Sequence, residues 1–150
     1  MDKEELSIIL KNHLHWLMGD CIGWQKMIAD LSSMDLRGVD LRGVNLCGAN
    51  LSYSNLSGVD MSYAKLNCAN LNSAGLQNVD LRYTDLSNAK LNCANLRGAD
   101  LSYAKLYDAN LSNADLRYTN LNYAKLRTAN LSGADLGNVD LKYTDLDYLC

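Results

Sequence analysis

The sequence predicts an all-β solenoid built of square coils, with a helical segment in front of it. Three observations carry the prediction. From Leu31 to Leu146, leucine stands at every fifth position except Met61, which makes 24 five-residue units without an insertion. Two residues before each leucine sits a small or β-branched residue such as Ala29, Val39, Ala49 or Thr84, with Met34 the largest. Tyrosine recurs at intervals of twenty, as Tyr63, Tyr83, Tyr103, Tyr123 and Tyr143.

Neither regular element accommodates a period of five. On a helix with about 3.6 residues per turn the leucines would scatter around the axis. On a strand they would alternate between faces. A chain that turns through a quarter circle per unit keeps both the leucine and the small residue inside, and four units then close a twenty-residue coil. Residues twenty apart should stack, and the columns agree. One reads Asp40, Asp60, Asp80, Asp100, Asn120, Asp140, and another Ala29, Ala49, Ala69, Ala89, Ala109, Ala129. Eight of the 24 positions two residues after the leucine are tyrosine, and five of those eight share one column of six. Leucine fills the axis, the small residue lets the corners close, and tyrosine stacks on its copy one coil away at about 4.8 Å, the spacing of paired strands. Six such coils would make a rod about 29 Å long, held by stacking between neighbours and not by one central nucleus.

The units "ANLRG", "ADLSY", "ANLSN" and "ANLSG" follow the pattern A(D/N)LXX, and in these units the chain resembles the pentapeptide repeat proteins over residues 29 to 148. The resemblance implies a right-handed quadrilateral β-helix with very short strands and β-turns at its corners. The chain departs from the common pattern in lacking phenylalanine at the central position, which favours a uniform core.

Residues 1–28 are expected to form a capping helix and linker, and residues 29–150 the repeat domain. Asp2 is placed to cap a helix, with Glu5 three residues on completing a capping-box pattern. Leu6, Ile9, Leu10, Leu14 and Leu17 follow at helical spacing, and Gly19 is a stop signal. Leu10, His13, Trp16, Leu17 and Trp24 are the candidate cap residues, the tryptophans lying across the first coil. The "H..W" of His13 and Trp16 resembles leaders found in front of the repeat in that family. His13 and His15, two apart, point to different sides of a helix, which favours a structural role over metal binding. At the other end the repeat runs into "DLDYLC" with no evident cap. Leu146, Tyr148, Leu149 and Cys150 are therefore the candidate dimer end, since the resemblance implies end-to-end homodimerisation. An N-terminal helix that covers a partner is a further route.

Composition narrows the function. The chain has 150 residues and a net charge of only −3, with no proline and with glutamate at Glu4 and Glu5 alone. Its five cysteines share no CxxC spacing and read as reduced thiols of a cytoplasmic protein. The start "MDKEEL" is acidic and its apolar run is short, so no signal peptide is expected, and no stretch reaches the roughly 18 apolar residues of a membrane span. The repeat contains no histidine and no glutamate, so its hydroxyls and thiols lack an identifiable base. The glycines of "RGVDLRGVNLCG" fall at five-residue intervals, as corners and not as a phosphate loop. No enzyme, cofactor or metal site is expected, and no direct binding of nucleic acid.

One face stands out. Asp60, Asp80, Asp100 and Asp140 lie beside Arg42, Arg82 and Lys142, and then comes the ladder Tyr63, Tyr83, Tyr103, Tyr123, Tyr143. Two readings compete. In one, stacked tyrosines and turn-bonding aspartates stabilise the coil. In the other, the tyrosines are a flat recognition strip flanked by charge, since tyrosine is enriched at interfaces. The reading favoured for function is a non-enzymatic scaffold or protein-interaction module with an unknown protein partner. The resemblance supplies an alternative, a DNA-mimicking regulator or protector of DNA gyrase or topoisomerase IV. Charge supports that alternative weakly: residues 30–150 hold 13 Asp against 11 Lys plus Arg, a net of −2. Duplex DNA carries one negative charge per about 1.7 Å of axis, whereas the aspartate column supplies one per about 4.8 Å. A further column, with Lys65, Asp85 and Lys105, alternates in sign and is expected to set register between coils.

Overall fold

A computed structural model describes residues 3–18 and 28–148 of the chain. Helix α1 spans Lys3–Met18, and from Ile28 onward the backbone turns once every five residues. Parallel bridges join each residue before the central position to the residue twenty further on, without interruption from Asp30–Asn50 to Asn120–Asp140. The chain is thus a β-helix with twenty residues to the coil. The expected short strands reduce to their minimum, one paired residue per side.

Each corner is a turn that starts at the central leucine. The leucine carbonyl accepts from the small residue three further on, as in Ala49 N–H to Leu46 O (3.0 Å) and Ala104 N–H to Leu101 O (3.0 Å). The residue two after the leucine takes positive φ at every corner from Ser33 to Tyr143. Positive φ at the third residue of a four-residue turn is the signature of type II. Amides of the leucine and of the residue before it join the coils: Leu51 N–H donates to Asn70 O at 2.7 Å, and Asn70 N–H to Ala49 O at 2.9 Å. The residue before the leucine braces the corner from outside. The Oδ1 of Asp60, Asp80 and Asp100 accepts from the amides of Ser62 (2.9 Å), Arg82 (3.0 Å) and Ser102 (2.9 Å). A carboxylate or amide that bonds its own backbone two residues on explains why Asp and Asn dominate this position.

Leucines from Leu31 to Leu126 are buried, and Met61 sits fully buried in their column. The alanines pack beside them in the same cluster, which also takes in Leu6, Ile9 and Leu10 of α1. His13, seven residues after Leu6, falls in the middle of that helix face, and it is fully buried. Leu14, expected on the inner face, is instead 46% exposed, because at eight residues from Leu6 it lies about 80° round the helix. Leu17 is half-buried. The expected cap at Asp2, the stop at Gly19, and Trp24 lie outside the described residues, as does the side chain of Trp16.

His13 has a definable task. At other corners the small residue's amide bonds to the leucine three residues earlier, but before Ala29 that position holds Lys26 and the repeat has not begun. Ala29 N–H donates instead to His13 Nδ1 at 3.1 Å. Burial pushes the His13 pKa below its ordinary value, and a backbone hydrogen bond with Cys47 opposes that shift. A base whose folded pKa is depressed is neutral in the fold, so its contribution is complete above the unfolded value of 6.5 and is lost as pH falls below it. His13→Ala leaves a buried amide without its acceptor, at about 1–3 kcal/mol. His13→Asn keeps an acceptor near the Nδ1 site, and thermal unfolding should rank the wild type above Asn above Ala at neutral pH. The gap between wild type and Asn should narrow at about pH 5, because only the histidine must give up a proton to fold there.

The C-terminal end is built differently from expectation. The regular coil stops before Asp145. A short 3-10 turn, Asp145–Tyr148, replaces the last corner, and the Asp145 carboxylate accepts the amides of Leu126 (2.5 Å) and Arg127 (3.1 Å). A side-chain oxygen thus stands where a further coil's carbonyl would be. The apolar side chains are covered less well. Leu136 is 40% exposed, and Leu131, Leu141 and Leu146 are only partly buried against the core. Leu149 and Cys150 lie outside the described residues, as does the side chain of Tyr148.

Candidate interaction face

The tyrosine column is one continuous stack. Ring centroids of Tyr63–Tyr83, Tyr83–Tyr103, Tyr103–Tyr123 and Tyr123–Tyr143 are 5.0, 4.8, 4.8 and 4.7 Å apart. The first three pairs are within 7° of parallel and the last within 16°. The spacing is the coil pitch, so each ring inherits its partner from the backbone register. All five rings are exposed. The two end rings, Tyr63 (64%) and Tyr143 (69%), show more surface than the inner three, Tyr83 (48%), Tyr103 (45%) and Tyr123 (42%), because each has one face without a neighbouring rung. Packing between rings pushes the Tyr103 phenol above its ordinary pKa, chiefly by desolvation and then through Tyr123 and Tyr83.

The backbone under these rings is costly. All five tyrosines sit at the left-handed corner, with φ between 59° and 61°. That conformation costs a residue with a side chain about 1–2 kcal/mol relative to the right-handed one. Glycine or asparagine fits such a corner at less cost, and the chain uses them at Gly58, Gly98, Asn78 and Asn88. The stack returns part of the strain, since an aromatic pair contributes about 0.5–1.5 kcal/mol. Tyr103→Ala removes two stacks and keeps the strain, whereas Tyr103→Gly removes both. Chemical denaturation should therefore find the glycine variant about 1 kcal/mol more stable than the alanine variant, the reverse of the order in a helix or strand. Equal stabilities would place Tyr103 outside the left-handed region.

Beside the ladder, the aspartate column is neutralised at some rungs and left open at others. Arg42 grips Asp40 through Nε (2.9 Å) and Nη2 (2.6 Å), and Arg82 grips Asp80 in the same way (2.9 and 2.6 Å). Arg42 holds the Asp40 carboxyl down to about 2, Arg82 lowers Asp80, and Asp140 is lowered first by the Asn122 amide and then by Lys142. Asp60 and Asp100 have serine, not arginine, two residues on. Asp60 meets Arg42 Nε of the preceding coil only at 3.8 Å, and Asp100 accepts from Asn120 Nδ2 at 3.1 Å. Exposed pairs of this kind stabilise little, about 0–1 kcal/mol. In the alternating column, Lys105 approaches Asp85 at 3.8 Å.

Two contacts here were not evident from the repeat. Arg97 lies over the Tyr118 ring at 5.2 Å on another column. Asn67 Nδ2 donates to Cys47 Sγ at 2.9 Å, and burial raises the pKa of that thiol. Among the described residues, no group of three or more histidine, cysteine or acidic side chains could hold a metal ion. No helix among them is long and apolar enough to cross a membrane.

The sequence model of the family described as "Pentapeptide repeats" matches residues 29–62, 54–92, 94–133 and 119–150. Among solved structures, HetL, a pentapeptide repeat protein involved in heterocyst differentiation regulation from the cyanobacterium Nostoc sp. strain PCC 7120, is 36% identical over 78% of this chain and 65% of its own, at a TM-score of 0.30. The pentapeptide repeat protein alr5209, from Nostoc PCC 7120, is 28% identical over 88% of this chain and 93% of its own, at 0.34. Full-length QnrB1, a plasmid-mediated fluoroquinolone resistance protein, is 22% identical over 80% of this chain and 62% of its own, at 0.48. The chain thus spans less than two thirds of the length of HetL and of QnrB1. The search of curated proteins found no match.

Proposed function

The chain belongs to the pentapeptide repeat family, and from that premise we propose that it is a non-enzymatic protein-interaction module whose tyrosine and aspartate face binds a protein partner. The family's right-handed quadrilateral β-helix is the scaffold. Residues 29–150 form the repeat unit in this reading, and residues 1–28, with α1, close its first coil. The observation that carries the proposal is the run of five stacked tyrosines held in left-handed backbone. Left-handed backbone is common to every corner, and what sets this column apart is its exposed, stacked aromatic surface, of a residue type enriched at interfaces. A strip whose only task was to close corners would have been cheaper in glycine or asparagine.

The half-exposed leucines at the C-terminal end, Leu136 above all, support a second element of the proposal, a homodimer formed through that end in the cytoplasm. Such a dimer leaves the tyrosine face free. DNA mimicry at a type II topoisomerase is the alternative. It needs a run of uncompensated negative charge, and the clamps on Asp40 and Asp80 remove alternate charges from this face.

The test is capture from a cell lysate by wild-type protein and by the pair of substitutions Tyr83→Lys with Tyr103→Lys, alongside a control pair on another column. A partner retained by wild type and control but lost by the tyrosine variant supports the face. A partner retained by all three overturns it. Inhibition of purified gyrase that falls with salt and disappears in Asp60→Asn with Asp100→Asn would move the assignment to the mimic. Light scattering on Leu136→Lys reads the dimer, which the added charge should dissociate.

A further inference from the structure

The ladder has six places and five rungs. Gly43 occupies the first place of the tyrosine column, one coil before Tyr63. Its backbone is already that of a rung: φ is 61° at both Gly43 and Tyr63. The amide of Gly43 donates to Ser62 O at 2.8 Å, as that of Tyr63 does to Arg82 O at 2.9 Å. Only the side chain is missing, and a Cβ built on Gly43 meets nothing within 4 Å. The result is an open cleft of about 740 Å³ against the bare face of Tyr63, with Asp40, Arg42, Asp60, Ser62 and Arg82 around it.

We propose that this vacant rung is a binding site for one aromatic side chain of a protein partner, a tryptophan or tyrosine that stacks on Tyr63 and donates its edge N–H or O–H to Asp60. The register already sets the geometry, since a ring seated there lies one coil pitch from Tyr63, as each rung lies from the next. Asp60 supplies the polar complement. Its Oδ1 is taken by the Ser62 amide at 2.9 Å, but its Oδ2 meets no cation closer than Arg42 Nε at 3.8 Å. Both arginines of the cleft already hold a carboxylate, Arg42 that of Asp40 (2.6 Å) and Arg82 that of Asp80 (2.6 Å). The cleft therefore offers no bare cation to attract an anionic ring. A neutral ring with a donor edge matches it, which favours indole or phenol. Aromatic side chains of this kind are enriched among the anchors of protein interfaces.

The proposal rests on the interaction-face reading and gives that face its anchor, but the two fail separately. Titrating ¹⁵N-labelled full-length protein with N-acetyl-tryptophanamide should give saturable shifts confined to Gly43, Ser62, Tyr63 and their neighbours, with a Kd of about millimolar, usual for a single small ring. N-acetyl-leucinamide should give none. Gly43→Tyr completes the ladder in backbone that five tyrosines already adopt, so it should fold normally and weaken the tryptophanamide about tenfold or more. Asp60→Asn should weaken it less, by about threefold. Absence of shifts at Gly43 and Tyr63, equal binding of the leucine amide, or equal binding by Gly43→Tyr overturns the site. Binding of adenosine in place of the tryptophanamide overturns it too, in favour of a nucleoside. If the tyrosine face variants lose their captured partner while the tryptophanamide fails to bind, the face stands without this anchor. The opposite pair of results keeps the slot and removes the face.

Discussion

Leu86→Ala is expected to destabilise the rod by about 3–5 kcal/mol, a large part of the roughly 5–15 kcal/mol that holds a domain together. Leu86 is fully buried, with Leu66 and Leu106 of the same column equally buried one coil to each side. Neither neighbour can move in, because each is fixed by its own corner: Ala69 N–H bonds Leu66 O, and Ala109 N–H bonds Leu106 O, at 3.0 and 3.1 Å. The cavity therefore stays open, and cavity volume sets the upper range of such costs. The same truncation at Leu136, 40% exposed in the last coil, should cost less than about 1 kcal/mol. Position should also change the form of the transition. A solenoid is stabilised by contacts between adjacent repeats, so a mid-rod defect uncouples the two halves and should broaden or split the melting curve. Differential scanning calorimetry reads both effects. A single sharp transition, equally lowered by the middle and the end substitution, would mean that one cooperative core and not coil stacking holds the chain.

Wherever the repeat runs, the architecture is legible in the sequence. A leucine every fifth residue and a small residue two before it leave one way to bury both, and Tyr63 to Tyr143 at intervals of twenty fix the coil length. The aspartates were legible too, as residues that bond their own turn. The ends were not, for a physical reason: a column can be read only from its copies, and the ends have none. His13 looked like one member of a helical stripe, and only the break at Lys26 hints that Ala29 needs a new acceptor. Asp145 resembles every other aspartate before a leucine, yet in the 3-10 turn its carboxylate takes the place of a carbonyl as acceptor for Leu126. Leu14 was misplaced inward because a helix face seven residues deep already held His13. On the candidate face, the alternation of Arg42, Ser62, Arg82 and Ser102 was visible as letters. Its consequence, a clamped carboxylate at one rung and an open one at the next, depends on guanidinium geometry that spacing does not specify. Gly43 carries no signal in the sequence, because a glycine in a column of tyrosines reads as an exception rather than as a space.

Duplicating the five residues Ala89–Cys93 should leave the fold intact and abolish the face. Every corner offers the same interior, a leucine and a small residue, so an added unit extends the coil with its apolar contacts preserved, and the melting temperature should change little. The exterior is another matter. All columns after the insertion advance by one side of the square, which parts Tyr63 and Tyr83 from Tyr103, Tyr123 and Tyr143. Duplicating the twenty residues Ala74–Cys93 instead restores the phase and adds a sixth ring. If the partner spans the strip, the five-residue insertion removes at least one aromatic anchor, worth about 2 kcal/mol at an interface, and weakens binding on the order of 30-fold. The twenty-residue insertion should bind nearly as wild type. Near-ultraviolet circular dichroism follows the stack, and capture follows the partner. A partner indifferent to both insertions would not be reading a continuous face, and the site of function would move to the ends, where the Leu136 surface and α1 are the elements that a change of phase leaves whole. The comparison separates shape from stability because both insertions add only units with the repeat's own interior, while the shorter one turns the second half of the rod by a quarter circle and the longer one returns it to phase.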